Sequence, residues 1–416
     1  MSVLTRRVTR ALAGVLMGAL ALPLAMSASV AHADEVRERQ YWLEEFRISE
    51  AWSITRGAGV TIAIIDTGVD GNHEDLRGAV VGGTDVSGIG SPDGQTPVGS
   101  SPAHGTMVAS LAAGRGHDGG DGVIGSAPGA SVLSVSMSFG NTIIPADEQI
   151  AEAVIWAVDN GADVISLSLT RNTREWPVSW DRAFGYAEDN DVVVVAAAGN
   201  RSAGTEVVGA PATMPGVLTV GGVDRAGVAS ARASSQGITI GVMAPSENLV
   251  GALPGEGYAL WAGTSGATPI VSGIAALVRA AHPELDAANV VNRILATARP
   301  VTPTIPDPLY GFGLIDAYDA VAGDVPLVQS NPLGTIDEWV QIYRRGNDEQ
   351  VVYPLGPVAT PEAPDAAKSQ PVTATPEAGL TREIPLLMVG GGLALVAIVA
   401  IAATFSVLRV RTEPLD

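Results

Sequence analysis

The 416-residue chain contains no cysteine. Disulfides, a thiol nucleophile and thiolate metal sites are therefore excluded. Lysine is nearly missing as well: Lys368 stands alone, and arginine supplies the other cations. Acidic residues outnumber basic ones by 44 to 24, a net charge of −20, which argues against nucleic-acid binding. Aromatic residues make up only 5% of the chain. Histidine is limited to His32, His73, His104, His117 and His282, so imidazole chemistry has few places to reside. What is abundant is apolar. At 46% hydrophobic, the chain can fill the core of one large domain and still carry extra segments.

Continuous apolar runs occur near 60–66, 131–138, 164–169, 192–199, 217–223 and 238–245. Runs of this kind read as strands buried on both faces. Helical spacing occupies 105–113, 148–160, 268–281 and 287–297. The alternation predicts an α/β fold with a mostly parallel sheet covered by helices, whose ligand groups gather at strand ends and helix starts.

Three segments place reactive residue types at such points. Val60-Thr-Ile-Ala-Ile-Ile-Asp66 is a strand that ends in a carboxylate. A buried carboxylate is costly unless paired, and Thr67-Gly68 offers a tight turn with backbone donors. Alone, Asp66 reads equally well as a turn residue. His104 opens His-Gly-Thr-Met-Val-Ala-Ser-Leu-Ala-Ala, so a helix start would hold its ring. His282 ends a helix as Ala-Ala-His-Pro, His117 lies in a Gly/Asp loop, and His73 follows the first strand. Ser265 sits in Ala262-Gly-Thr-Ser-Gly-Ala-Thr-Pro269, ahead of a long helical run. Thr264 or Ser265 could serve as an ordinary N-cap. The same geometry also gives a serine hydroxyl unsatisfied backbone N–H groups and a positive field. A fourth run, Asp191-Val-Val-Val-Val-Ala-Ala-Ala-Gly199-Asn200, ends in a possible turn residue whose side-chain amide is also a suitable oxyanion donor. An acid, a base, a nucleophile and an oxyanion donor together describe acyl transfer. The Gly-x-Ser-x-Gly elbow of lipases does not surround Ser265.

On these residues the chain resembles the subtilisin-like serine peptidases from about Tyr41 to Ala322. The order Asp66, His104, Ser265 is that of the subtilisin triad. Further matching segments are His73-Glu-Asp-Leu, Gly125-Ser-Ala-Pro, Val164-Ile-Ser-Leu-Ser-Leu and Tyr310-Gly-Phe-Gly-Leu-Ile-Asp316-Ala. The resemblance implies a subtilisin-like three-layer fold. It also implies Ser265 as nucleophile, His104 as general base then acid, Asp66 as orienting carboxylate and Asn200 as oxyanion donor. Activity is then expected to fall as His104 protonates, near the ordinary imidazole pKa of about 6.5. Ser168-Leu169-Thr170 and Ala197-Ala198-Gly199 match the walls of the S1 pocket. Thr170 stands where relatives usually carry glycine, which predicts a preference for small or slim P1 residues. Gly266 stands where methionine is usual, and a change in local packing is expected. No cofactor is required. Asp75, Asp118 and Asp121 match positions where many relatives bind calcium, but hard-oxygen ligands are fewer than the usual six to eight and a solvated turn reads as well.

The two ends concern export and membranes. Arg6, Arg7 and Arg10 precede an apolar run from Ala11 to Met26, and Ala31-His-Ala33 forms a cleavage site. Residues 1–33 therefore read as a signal peptide. A peptidase domain is expected over 34–322, and a Pro/Ala/Thr-rich linker over 323–384, in which Ile336 to Tyr343 is apolar enough to pack on the domain. Leu386 to Leu408 carries no charge; at 1.5 Å per residue it spans about 34 Å, enough for the hydrocarbon core. A transmembrane helix is expected over 385–408. Arg409 and Arg411 put the 409–416 tail in the cytoplasm and the domain outside. This arrangement resembles the membrane-anchored mycosins of type VII secretion. It implies a protein or peptide substrate, a membrane partner and a secretion complex. In the competing reading the fold is a catalytically dispensable scaffold of such a complex.

Overall fold

The computed structural model describes residues 35–117, 119–139 and 142–344. Three short helices, α1 (Glu35–Glu38), α2 (Trp42–Glu45) and α3 (Ile48–Ala51), lead into β1 (Thr61–Asp66) and β2 (Val80–Asp85). Helix α4 (His104–Ala113) comes next, then a hairpin of β3 (Arg115–His117) and β4 (Asp121–Ile124). The centre of the chain alternates: β5 (Ser131–Ser136), α5 (Ala146–Asp159), β6 (Val164–Leu167), α6 (Val178–Asp189) and β7 (Val193–Ala197). Strands β8 (Leu218–Val223) and β9 (Ile240–Pro245) complete the sheet, and β10 (Leu249–Ala252) and β11 (Tyr258–Trp261) form a second hairpin. Helices α7 (Thr264–Ala281), α8 (Ala287–Ala296), α9 (Ala317–Ala322) and α10 (Ile336–Tyr343) close the described chain.

Seven strands form one sheet in the order β2-β5-β1-β6-β7-β8-β9, and every neighbouring pair is parallel. All six sequence-predicted strands are present. The seventh, edge strand β2, is not evident from sequence: its Val-Val-Gly-Gly-Thr-Asp run is only half-buried and lacks a continuous apolar signature. Because β1 lies between β5 and β6, the chain reverses its strand order there, and the carboxyl end of β1 opens into a crevice.

Helix α7 is buried on every side from Gly266 to Val278 and runs against β6 to β9, the signature of a core helix. It crosses α4 closely. A Cβ on Gly273 would stand 2.8 Å from the Ala112 carbonyl oxygen, so the crossing leaves no room for a side chain there. Both helices therefore hold their first turns rigidly at the sheet's carboxyl end.

The packed chain runs past residue 322, where the sequence places the start of a linker. Asn289 exchanges hydrogen bonds with the Val328 backbone at 2.9 and 3.2 Å. Ile336 is buried at the start of α10, and Trp339 packs on Trp176 with centroids 4.5 Å apart and planes at 45°. The signal peptide (1–33), the rest of the linker, the 385–408 span and the tail lie outside the described residues. Among the described residues no helix is long and apolar enough to cross a membrane.

Candidate active site

Asp66 is the last residue of β1 and is 2% exposed. Its Oδ1 accepts the Thr67 N–H at 2.7 Å. His104 Nδ1 lies 2.7 Å from Oδ1 and 2.9 Å from Oδ2, so this nitrogen carries the proton and Nε2 of the neutral ring is left as an acceptor. His104 is the first residue of α4. Its N-cap position is Ala103, which offers no cap. The Thr67 hydroxyl substitutes by accepting the Gly105 N–H at 3.0 Å. One turn after β1 thus fixes both the carboxylate and the helix that carries the imidazole. Glycine is required at 105 for the approach, because a Cβ there would stand 2.3 Å from the Gly68 carbonyl oxygen. Burial presses the His104 pKa down, but the charge of Asp66 and its hydrogen bond outweigh this, and the net direction is up.

Ser265 is the second residue of α7; its N-cap is Gly263, with φ of 148°. Neither Thr264 nor Ser265 acts as the cap. Thr264 instead ties the turn to the end of β7. Its hydroxyl accepts the Gly199 N–H at 3.1 Å and its backbone N–H donates to Asn200 Oδ1 at 2.8 Å. With Oδ1 engaged, the Asn200 NH₂ group is the half left to donate. Gly263 leaves that group uncovered, since a Cβ there would sit 3.2 Å from Asn200 Nδ2.

The Ser265 carbonyl shows how the chain solves a local conflict. Pro269 lies four residues on, inside the helix, and has no N–H to give it. The Ser168 hydroxyl donates to that carbonyl instead, at 2.9 Å. In return the Ser265 hydroxyl donates to the Ser168 carbonyl at 3.2 Å. The structure therefore brings His104 to Asp66 and Ser265 to Ser168, while no hydrogen bond joins Ser265 to His104.

Strands β6 and β7 pair in parallel, with Leu167 opposite Ala196. The segments Ser168–Thr170 and Ala197–Gly199 therefore leave the sheet side by side. Leu169, Ala197 and Ala198 are buried. The Thr170 methyl lies 3.2 Å from where a Gly199 Cβ would stand, so it occupies the space between the two segments.

Asp75 is fully buried, and both of its oxygens are in use: His117 Nδ1 lies 2.6 Å from Oδ1, and the Val123 N–H donates to Oδ2 at 2.8 Å. Asp121 starts β4, and Asp118 lies outside the described residues. Among the described residues no group of three or more histidine, aspartate or glutamate side chains is placed to hold a metal. An imidazole nitrogen on the central carboxylate does not fit a hard, oxygen-seeking cation.

Sequence reasoning missed Trp261. Its ring stands edge-on to the His104 imidazole, with centroids 5.7 Å apart and planes at 83°. The signal available was the departure at Gly266. A Cβ there would stand 2.3 Å from Leu249 Cδ1 and 3.3 Å from Trp261 Cζ2. The space of the missing side chain has been filled from the β10–β11 hairpin.

Residues 57–313 match the subtilase family of S8 peptidases. The chain belongs to that family, and it is a serine endopeptidase. Thermitase from Thermoactinomyces vulgaris is 35% identical over 283 residues, which are 68% of this chain and 96% of that protein. The MycP3 protease of the type VII (ESX-3) secretion system has a similar structure, with a TM-score of 0.58 and 32% identity over 68% of this chain and 88% of its own. A chain in the periplasmic assembly of the ESX-5 inner membrane complex gives a TM-score of 0.61 and 30% identity, covering 70% of this chain and 86% of that one.

Proposed function

We propose that this endopeptidase cleaves its substrate with Ser265 as nucleophile, His104 as general base and acid, Asp66 as orienting carboxylate and Asn200 as oxyanion donor. The observation that carries the reading is the buried Asp66–His104 contact at 2.7 Å, which supports Nε2 as the base. The Ser265 hydroxyl turns off the Ser168 carbonyl and delivers its proton to Nε2 as Oγ attacks the scissile carbonyl carbon. Negative charge gathers on the carbonyl oxygen, within reach of the Asn200 amide and the first-turn N–H groups of α7. His104 then protonates the leaving amine, and a water molecule repeats the sequence to release the acid. The Thr170 methyl beside Gly199 supports a preference for small P1 residues. A library profile dominated by large aromatic P1 residues would contradict that preference.

The sequence features at both ends support a domain held outside the cell membrane by a single span. The structural similarity to type VII secretion proteases supports a place in such a secretion complex.

The resting bond from Ser265 to Ser168, in place of His104, favours a second reading as a scaffold with dispensable catalysis. A fluorophosphonate probe decides between them. The full chain is expected to label between about pH 6 and 9, and Ser265→Ala to remove labelling without unfolding the domain. A folded wild-type protein that never labels would leave the scaffold.

A further inference from the structure

We infer that Trp261 is a positioning residue for catalysis, setting the His104 ring against the first turn of α7. The inference rests on the proposed role of His104. One indole touches both partners. It meets the imidazole edge-on, and it lies against the position whose missing side chain would point from the residue after Ser265. The hydrogen bond to Asp66 anchors one edge of the imidazole, at Nδ1. It does not by itself hold the opposite edge, where Nε2 must meet the serine proton. An aromatic wall in edge contact restrains that freedom.

Three observations make the wall rigid. Trp261 is 3% exposed, so the ring cannot swing into solvent. Its strand is zipped to β10, with Leu249 opposite Trp261. Leu249 then fills the rest of the space beside Gly266. The fold also tolerates a cost at this position: the indole N–H is buried without a hydrogen-bond partner among the described residues. Buried polar groups are nearly always satisfied, and an exception calls for a reason. Holding the base supplies one. Trp261 also lines a cavity of about 310 Å³ with Ser202, Arg232, Glu247 and Leu260, so a substrate-wall role must be separated from a positioning role.

Trp261→Leu and Trp261→Phe in the full chain make that separation. Trp261→Leu is expected to lower kcat about tenfold or more with KM within about twofold, since small misplacements of reacting groups are expensive in rate. Its acid limb should move to higher pH, because water reaching the ring relieves the burial that presses the His104 pKa down. Trp261→Phe, which keeps an aromatic edge, should recover most of the rate. The inference is overturned by an unchanged kcat in Trp261→Leu, by a change confined to KM, or by equal losses in both variants with a fixed acid limb. NMR titration of the few histidine rings separates this from failure of the underlying reading. An upward His104 midpoint in Trp261→Leu, in a protein whose wild type never labels, keeps the contact and discards the role of Ser265. An unmoved midpoint discards the contact itself.

Discussion

Asp66→Asn removes one charge and no heavy atom, yet the hydrogen bonds around it leave the new amide only one orientation. The Thr67 N–H at 2.7 Å requires an acceptor at the Oδ1 position, so the amide oxygen takes that place. The amide nitrogen then occupies the Oδ2 position, 2.9 Å from His104 Nδ1. The new N–H opposes the Nδ1 proton there and favours the ring's other tautomer, which puts the proton on Nε2 and leaves no acceptor for the serine, in competition with the Nδ1–H bond that the amide oxygen can still accept at 2.7 Å. The corresponding change in serine proteases lowers kcat by about 10⁴ through this tautomer error, equivalent to about 5.5 kcal/mol of barrier. The pH dependence adds a signed test. In the wild type His104 titrates above its ordinary value, so the acid limb of kcat/KM lies above about 6.5, higher than the sequence alone places it. In Asp66→Asn only burial remains, and the limb moves to lower pH. Stability obeys the same linkage: the pairing with Asp66 contributes fully below about pH 6.5 and is lost as pH rises through the raised folded pKa. Hydrolysis of a chromogenic peptide across pH reads the rate, and thermal melts read the stability. A loss smaller than tenfold, or an acid limb that moves upward, would refute the assignment of Nε2 as the base.

Asn200→Leu removes the amide donor, and should lower kcat by about 10²–10³ with little change in KM, the range measured for the equivalent donor in subtilisin; a loss under threefold in steady-state kinetics would remove Asn200 from the oxyanion site. Gly266→Ala forces a methyl to within 2.3 Å of the fully buried Leu249, and overpacking of this kind costs about 1–3 kcal/mol. A melting curve unchanged from wild type would show that the β10–β11 hairpin does not fill that space firmly.

The central architecture is legible because each core strand is a continuous apolar run, and such runs have few other uses in a soluble domain. Asp66, His104 and Ser265 are legible because each lies at the end of a strand or in the first turn of a helix, and Asn200 because it follows the apolar run of β7. Helix α6 is not legible. Its buried Trp180, Ala183, Phe184 and Ala187 fall at helical spacing, but Gly185 and the weak helix formers Val178, Trp180, Phe184 and Tyr186 lower its propensity. The side-chain partnerships are also hidden. Thr67 caps a helix that begins 37 residues away, counting from Thr67 to His104, and Trp261 reaches His104 from a hairpin across the cleft. Both depend on tertiary approach, which local spacing does not encode. The acid limb is expected to lie higher than the ordinary imidazole value for the same reason: the contact that raises the His104 pKa is made only on folding.

The proline within α7 divides responsibility for the proposed nucleophile between two parts of the molecule. A helix with an ordinary residue at 269 would hold its own second carbonyl, and a reactive serine there would survive as long as the helix did. Here that carbonyl depends on a hydroxyl just beyond β6. Loosening at the margin of the cleft would therefore disarm the protein while the interior is still intact, and loss of activity on heating is expected to precede the loss of ellipticity.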